Sequence, residues 1–273
     1  MNKILILLIG SLLMTGALAS GYQAPQNLRL IFGETENKHY VPRVKAVHRL
    51  GRDLQPGDIA AIYAFFRKKI REDNLKPLEL NGIKNELVIV IMKQRAFPNE
   101  LTSNLINMYY DKSMDNVWRD YCVQFLGQWY PKISDKSEME EVNKLFNNGL
   151  KEKKNGIAGT TLIAMSRLTE YPGLEREKVA QAAYSLAVDK DAPAIVKISA
   201  LQVGANLKDQ KIIPLAKEIL NTTKSISLKM SAIAALGILG DTSSIGMLQK
   251  YRKSSDVRLR TAAKAALKKL EAK

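Results

Sequence analysis

The last third of the chain repeats itself at a nearly fixed interval. Residues 228–237 read LKMSAIAALG, and 31 residues later residues 259–268 read LRTAAKAALK. A third copy, VKISALQVGA, lies 32 residues upstream at 196–205. Each begins with an apolar residue followed by Lys or Arg, and has small residues at the fourth and fifth places and Leu or Gly at the ninth. One amphipathic helix of this length cannot bury its own stripe. A period in this range therefore means helix pairs stacked so that each pair covers the next. The expected fold is all-α, an α-α superhelix of about six or seven helix pairs.

Looser copies extend the pattern toward the front. Residues 118–127 (WRDYCVQFLG) fit it, as do residues 42–51 (PRVKAVHRLG), where proline is compatible with a first helical turn. Residues 157–165 and 87–92 occupy the intervening places in a register ambiguous by about one turn. Between these lie helices of a second kind, over 58–70, 99–110, 137–150, 175–188, 209–220 and 243–253. Ser137 followed by Glu140 is a capping-box pattern that opens the third of them. The connectors are short and contain Gly, Pro, Asn or Asp, the ordinary chain-turning residues. Residues 40–273 therefore read as one array with no dividing linker.

The front of the chain is different. Lys3 precedes a mostly apolar run over 4–13, and Ala17 and Ala19 place small residues before Ser20. That order is a secretory signal, so residues 1–19 are expected to be cleaved and the protein exported, to the periplasm or outside the cell. Residues 20–39 read as a lead-in segment of mixed polarity. No later stretch is apolar enough to span a bilayer. Cys122 is the sole cysteine, so no internal disulfide supports the fold.

Charge is uneven. The chain carries a formal +15. Residues 43–71 hold eight Lys/Arg against Asp53 and Asp58, and residues 250–273 hold nine against Asp256 and Glu271. Such ends attract anions. The candidate anion- or partner-binding residues are Arg258, Arg260, Lys264, Lys268 and Lys269 at one end and Arg67, Lys68 and Lys69 at the other.

Sequence signals for chemistry are sparse. His39 and His48 are the only histidines, and Cys122 lies far from both on a helical stripe with Trp118, Tyr121, Phe125 and Trp129. A reactive thiol needs exposure and a basic neighbourhood, so Cys122 reads as core. No Cys/His cluster at zinc-ligand spacing, phosphate-cradling glycine loop or nucleophile elbow occurs. Neither an enzyme nor a cofactor is expected from these residues. Tyr63, Phe65 and Phe66 fall within four residues, so at least one is expected to be exposed or to cover the end of the array. The basic residues at the second place (Arg43, Arg119, Lys197, Lys229 and Arg260) should form a row, read first as a ladder in which each pairs with an acid or carbonyl of a neighbouring repeat and second as an anion-binding ridge.

On the copies quoted above, residues 157–273 resemble the HEAT-type repeats of the α-solenoid superfamily, and 40–156 resemble them more loosely. The wider pattern is similar to exported bacterial HEAT-repeat proteins. The resemblance implies scaffolds and binding platforms more often than catalysts. The expectation is an exported non-catalytic scaffold holding a protein or peptide partner. Binding of an anionic polymer or of lipid headgroups through the basic ends is the second reading. Nucleic acid is disfavoured by the export signal.

Overall fold

The computed structural model describes residues 23–96, 98 and 100–271. The signal segment 1–19 and the first residues of the lead-in lie outside the described residues. Among those described, the chain forms fourteen α-helices and no strand. They fall into two compact units, divided between Leu101 and Thr102, where the sequence shows no linker.

The first unit contains α1 (Gln26–Phe32), α2 (Tyr40–Val47), α3 (Pro56–Phe66) and α4 (Pro77–Met92). Helix α1 is a finding, since its residues read as lead-in. It packs on α2 and buries Leu28, Ile31 and Phe32. Gly33 ends it at φ 76°, a left-handed conformation natural to glycine. A Cβ there would also lie 3.1 Å from an Arg43 guanidinium nitrogen. None of Tyr63, Phe65 and Phe66 is exposed, which corrects that part of the expectation. Phe65 is covered by Phe32 of α1, with ring centroids 5.1 Å apart. Helix α4 begins ten residues ahead of the stretch 87–92, at Pro77. Asn81, Gly82 and Lys84 interrupt its apolar pattern, but the fold buries both polar side chains, and the Lys84 ammonium donates to the Lys68 carbonyl at 2.6 Å.

The second unit runs through α5 (Leu101–Tyr110), α6 (Asn116–Trp129), α7 (Lys136–Gly149), α8 (Ile157–Ser166), α9 (Arg176–Val188), α10 (Ala194–Asn206), α11 (Ile212–Thr222), α12 (Ile226–Leu239), α13 (Ile245–Arg252) and α14 (Val257–Glu271). Helices α6, α8, α10, α12 and α14 carry the quoted motif and pack successively into a row. Helices α7, α9, α11 and α13 each cover the row helix that follows them. The cap of α7 is Asp135, whose carboxylate accepts from the Glu138 amide at 2.9 Å. The Ser137 pattern thus lies inside the first turn rather than at its edge. Asp115 caps α6 in the same way, accepting from Val117 and Trp118.

The repeated small residues explain the row. The fifth-place side chains Cys122, Thr161, Ala200, Ala232 and Ala263 are all fully buried. The tenth place brings adjacent helices together. A Cβ on Gly127 would lie 2.7 Å from that of Ala164, and one on Gly237 would lie 2.8 Å from the Ala266 Cα. Larger side chains there would force the helices apart. Of the aromatic stripe, Trp118, Cys122, Phe125 and Trp129 are buried as expected, whereas Tyr121 is only half-buried.

Candidate functional site

The basic residues singled out in the sequence do not share one role. In the first unit, Arg67 is exposed, Lys69 is half-buried and Lys68 is engaged within the fold. The Lys68 ammonium donates to the Phe32 carbonyl at 3.1 Å and pairs with Asp73 at 2.9 Å. In the second unit, Arg258 clasps Asp256 with its Nη2 at 2.7 Å. Arg260 donates to the Ser254 and Ser255 carbonyls at 2.8 Å each. Lys264, Lys268 and Lys269 stand exposed on α14 with no hydrogen-bond or ion-pair partner among the described residues.

Two arginines of the second-place row are structural. The Arg43 Nε donates to the Ile31 carbonyl at 2.8 Å, while its Nη1 and Nη2 clasp Asp73 at 2.8 and 2.9 Å. Arg119 repeats the arrangement, donating from Nε to the Tyr109 carbonyl at 2.7 Å and from Nη2 to Glu152. Each carboxylate also takes a lysine, Lys68 or Lys112, and each guanidinium lies near an aromatic ring, Phe65 or Tyr109. Burial pushes the Asp73 and Glu152 carboxyls up, but the hydrogen bonds from Arg43 and Lys68, and from Arg119 and Lys112, outweigh it. Both carboxyls are held at about 2. Two later members of the row do otherwise. Lys229 lies over the Tyr251 ring, and Arg260 bonds carbonyls of the loop preceding its own helix.

Among the described residues, one face of the second-unit row is left uncovered. On α10 it carries Ile195, Ile198, Gln202 and Asn206, and on α12 Ser227, Met230, Ala234 and Ile238. Both sets follow the spacing i, i+3, i+7, i+11, which keeps them on one side of each helix. Between the two helices lies a cleft of about 420 Å³ lined by Ile198, Gln202, Asn206, Met230, Ala234 and Ile238. Ile195 continues the strip at 60% exposure, unusual for so large an apolar side chain. A second cleft of about 300 Å³ lies between α6 and α8, with Gln124, Gln128, Ile163 and Arg167 among its lining. These residues occupy the seventh and eleventh motif places, so both clefts open on the same side of the row.

The sequence reading passed over this strip because attention went to charge. The available signal was the apolar residues Ile198, Met230 and Ile238 at motif places that face away from the covering helices. Among the described residues, no three His, Cys, Asp or Glu side chains gather in a way that could hold a metal ion. No helix there is long and apolar enough to cross a membrane.

Residues 180–268, spanning most of α9 to α14, match the family of HEAT repeats. The chain carries HEAT-like repeats. Comparison with curated protein sequences found no match. Among solved structures, human deoxyhypusine hydroxylase in complex with glycerol aligns over 90% of this chain and 95% of its own, at 16% identity and a TM-score of 0.35. The expectation of a non-catalytic scaffold is corrected by that finding, since the protein aligned along these HEAT-like repeats is a hydroxylase. A likeness this distant assigns no activity to the present chain. Helical repeats by themselves do not fix whether a chain is catalytic.

Proposed function

We propose that the second unit recognises a partner protein through the uncovered face of its helix row, with the α10/α12 cleft as the anchor. The observation that carries this reading is the apolar lining of that cleft, Ile198, Met230 and Ile238, on a face that no helix of the unit covers. A cleft with apolar walls offers a partner's apolar side chains a place to leave water. HEAT repeats, matched over 180–268, supply the architecture for such a surface. The reading assigns a binding surface and makes no statement about chemistry performed on the partner.

Site-specific photo-crosslinking in the producing cell tests it. A crosslinking residue at the exposed Gln202, on the uncovered face, should give an adduct of discrete mass, whereas one at the exposed Gln181 of α9 should not. Equal labelling from both positions, or none from Gln202, would remove the reading. We also propose export, on the charged, apolar and small-residue order of residues 1–19. Its test is whether the protein recovered outside the cytoplasm begins at Ser20.

A further inference from the structure

We infer that the occupant of the α10/α12 cleft is an amphipathic helical segment of a partner protein, with acidic residues flanking its apolar stripe. The inference rests on the recognition reading above and names the partner's chemistry.

The shape of the cleft argues for a helix. Its two walls are helices, lined from Ile198 to Asn206 on α10 and from Ser227 to Ile238 on α12, about 12 and 16 Å at the helical rise. A third helix laid between them would place its own side chains at i, i+3, i+4 and i+7 into that length. Apolar side chains stand toward both ends of the cleft, Ile195 and Ile198 at one and Ile238 at the other, with the small Ala234 between. Small residues in the middle leave room for the body of an incoming helix.

An extended peptide fits poorly, for a reason of hydrogen bonding. The backbone groups of α10 and α12 along the cleft are spent within their own helices, and the Ser231 hydroxyl already donates to the Ile198 carbonyl at 3.3 Å. Only the Gln202 and Asn206 amides and the Ser227 hydroxyl remain to meet an extended backbone. Most of that backbone's amides would then lose water without gaining a partner, at a substantial free-energy cost. A helix brings its backbone already paired.

Charge sets the flanks. On the same face, α8 presents Arg167 and α14 presents Arg258 and Lys269. Arg258 is engaged with Asp256, whereas Arg167 and Lys269 are exposed. Across the outward positions of α8, α10, α12 and α14 there is no carboxylate. The exposed cations Arg167 and Lys269 thus flank the apolar cleft on the neighbouring helices, which favours acidic residues on either side of the partner's stripe.

Fluorescence anisotropy with the full chain and three labelled synthetic peptides of about 18 residues tests this, a length sufficient to span the cleft. One peptide carries Leu at helical 3–4 spacing with Glu at the other positions. The second replaces each Glu by Lys, and the third scrambles the first. The Glu peptide should bind at least about tenfold more tightly than either, as expected for combined apolar and charge complementarity. Ala234→Glu should weaken its binding, with the helical circular-dichroism signal unchanged because Ala234 is exposed. Arg167→Glu together with Lys269→Glu should narrow the preference for the Glu peptide over the Lys peptide. Equal binding of the scrambled peptide, tighter binding of the Lys peptide, or indifference to Ala234→Glu would overturn the proposal. If the Gln202 crosslink forms while the Glu peptide fails to bind, the helical acidic partner is wrong and recognition at this face stands. Absence of both results removes both.

Discussion

The first unit and the last three helix pairs hold themselves together by different means. In α1–α4 the helices are pinned by a buried arginine that ties a helix-end carbonyl to a carboxylate 30 residues away. In α9–α14 the row helices meet through small residues, as where Gly237 lies against Ala266. There the second-place cations turn outward, to a ring in the case of Lys229 and to nearby loop carbonyls in the case of Arg260. Close packing needs the same small residue at the same place in every copy, so it writes a regular period into the sequence. A buried ion network needs only one good partner, wherever the chain brings it, and it tolerates irregular spacing. That is why the repeat fades toward the front without any loss of structure.

Substitutions of the pinning arginines should break the comparison most sharply. Arg43→Ala leaves the Asp73 side chain, 1% exposed, as a buried charge deprived of its main partner. A loss of about 3–5 kcal/mol is expected, read from the denaturant midpoint. Each carboxylate keeps its lysine, but Arg119→Ala should cost less, because Glu152 is 19% exposed. Arg260→Ala should cost under about 1 kcal/mol, the scale of an exposed polar contact. Equal losses at Arg43 and Arg260 would mean that the two regions do not differ in this way.

Acid comes next. The folded Asp73 carboxyl titrates at about 2, against 3.8 for the ordinary group. The unfolded chain therefore binds the proton first as pH falls. The contribution of this group is complete above about pH 5 and is lost between roughly pH 4 and 2, on the order of 2 kcal/mol. Asp73→Asn should flatten that part of a pH–stability curve. An unchanged slope would show that Asp73 is not held as described.

Gly237→Ala sharpens the other side. Alanine is the better helix former by about 1 kcal/mol, yet its Cβ would meet the Ala266 backbone at 2.8 Å. Overpacking of about 1–3 kcal/mol should prevail, giving a lower melting temperature. A more stable variant would show that α12 and α14 can move apart freely. The smallest effect belongs to Lys268→Ala on the exposed face of α14, within about 0.5 kcal/mol by thermal melting.

Much of the helix order was legible before any coordinates. The recurrence of residues 196–205, 228–237 and 259–268 located α10, α12 and α14, and the Trp118–Trp129 stripe located α6. Helix α1 was not legible, because seven residues, only four of them apolar, carry no periodicity long enough to distinguish a helix from a loop. Helix α4 was read short because Lys84 and Asn81 look like surface residues until Lys84 finds the Lys68 carbonyl. The candidate site was the least legible part. Lysines attract attention in a sequence, but whether Lys68 is free or already bonded depends on Asp73 and Phe32, and no local pattern records that.

The sequence alone determined that helices would pair and stack, because every copy must bury the same face and so must spell it again. Only the tertiary structure decided which cations are bound internally and which face of the row stays bare. The bonds of Arg43 to Asp73 and of Lys68 to Phe32 join residues 30 and 36 positions apart, and the bare face depends on which side the covering helices leave open.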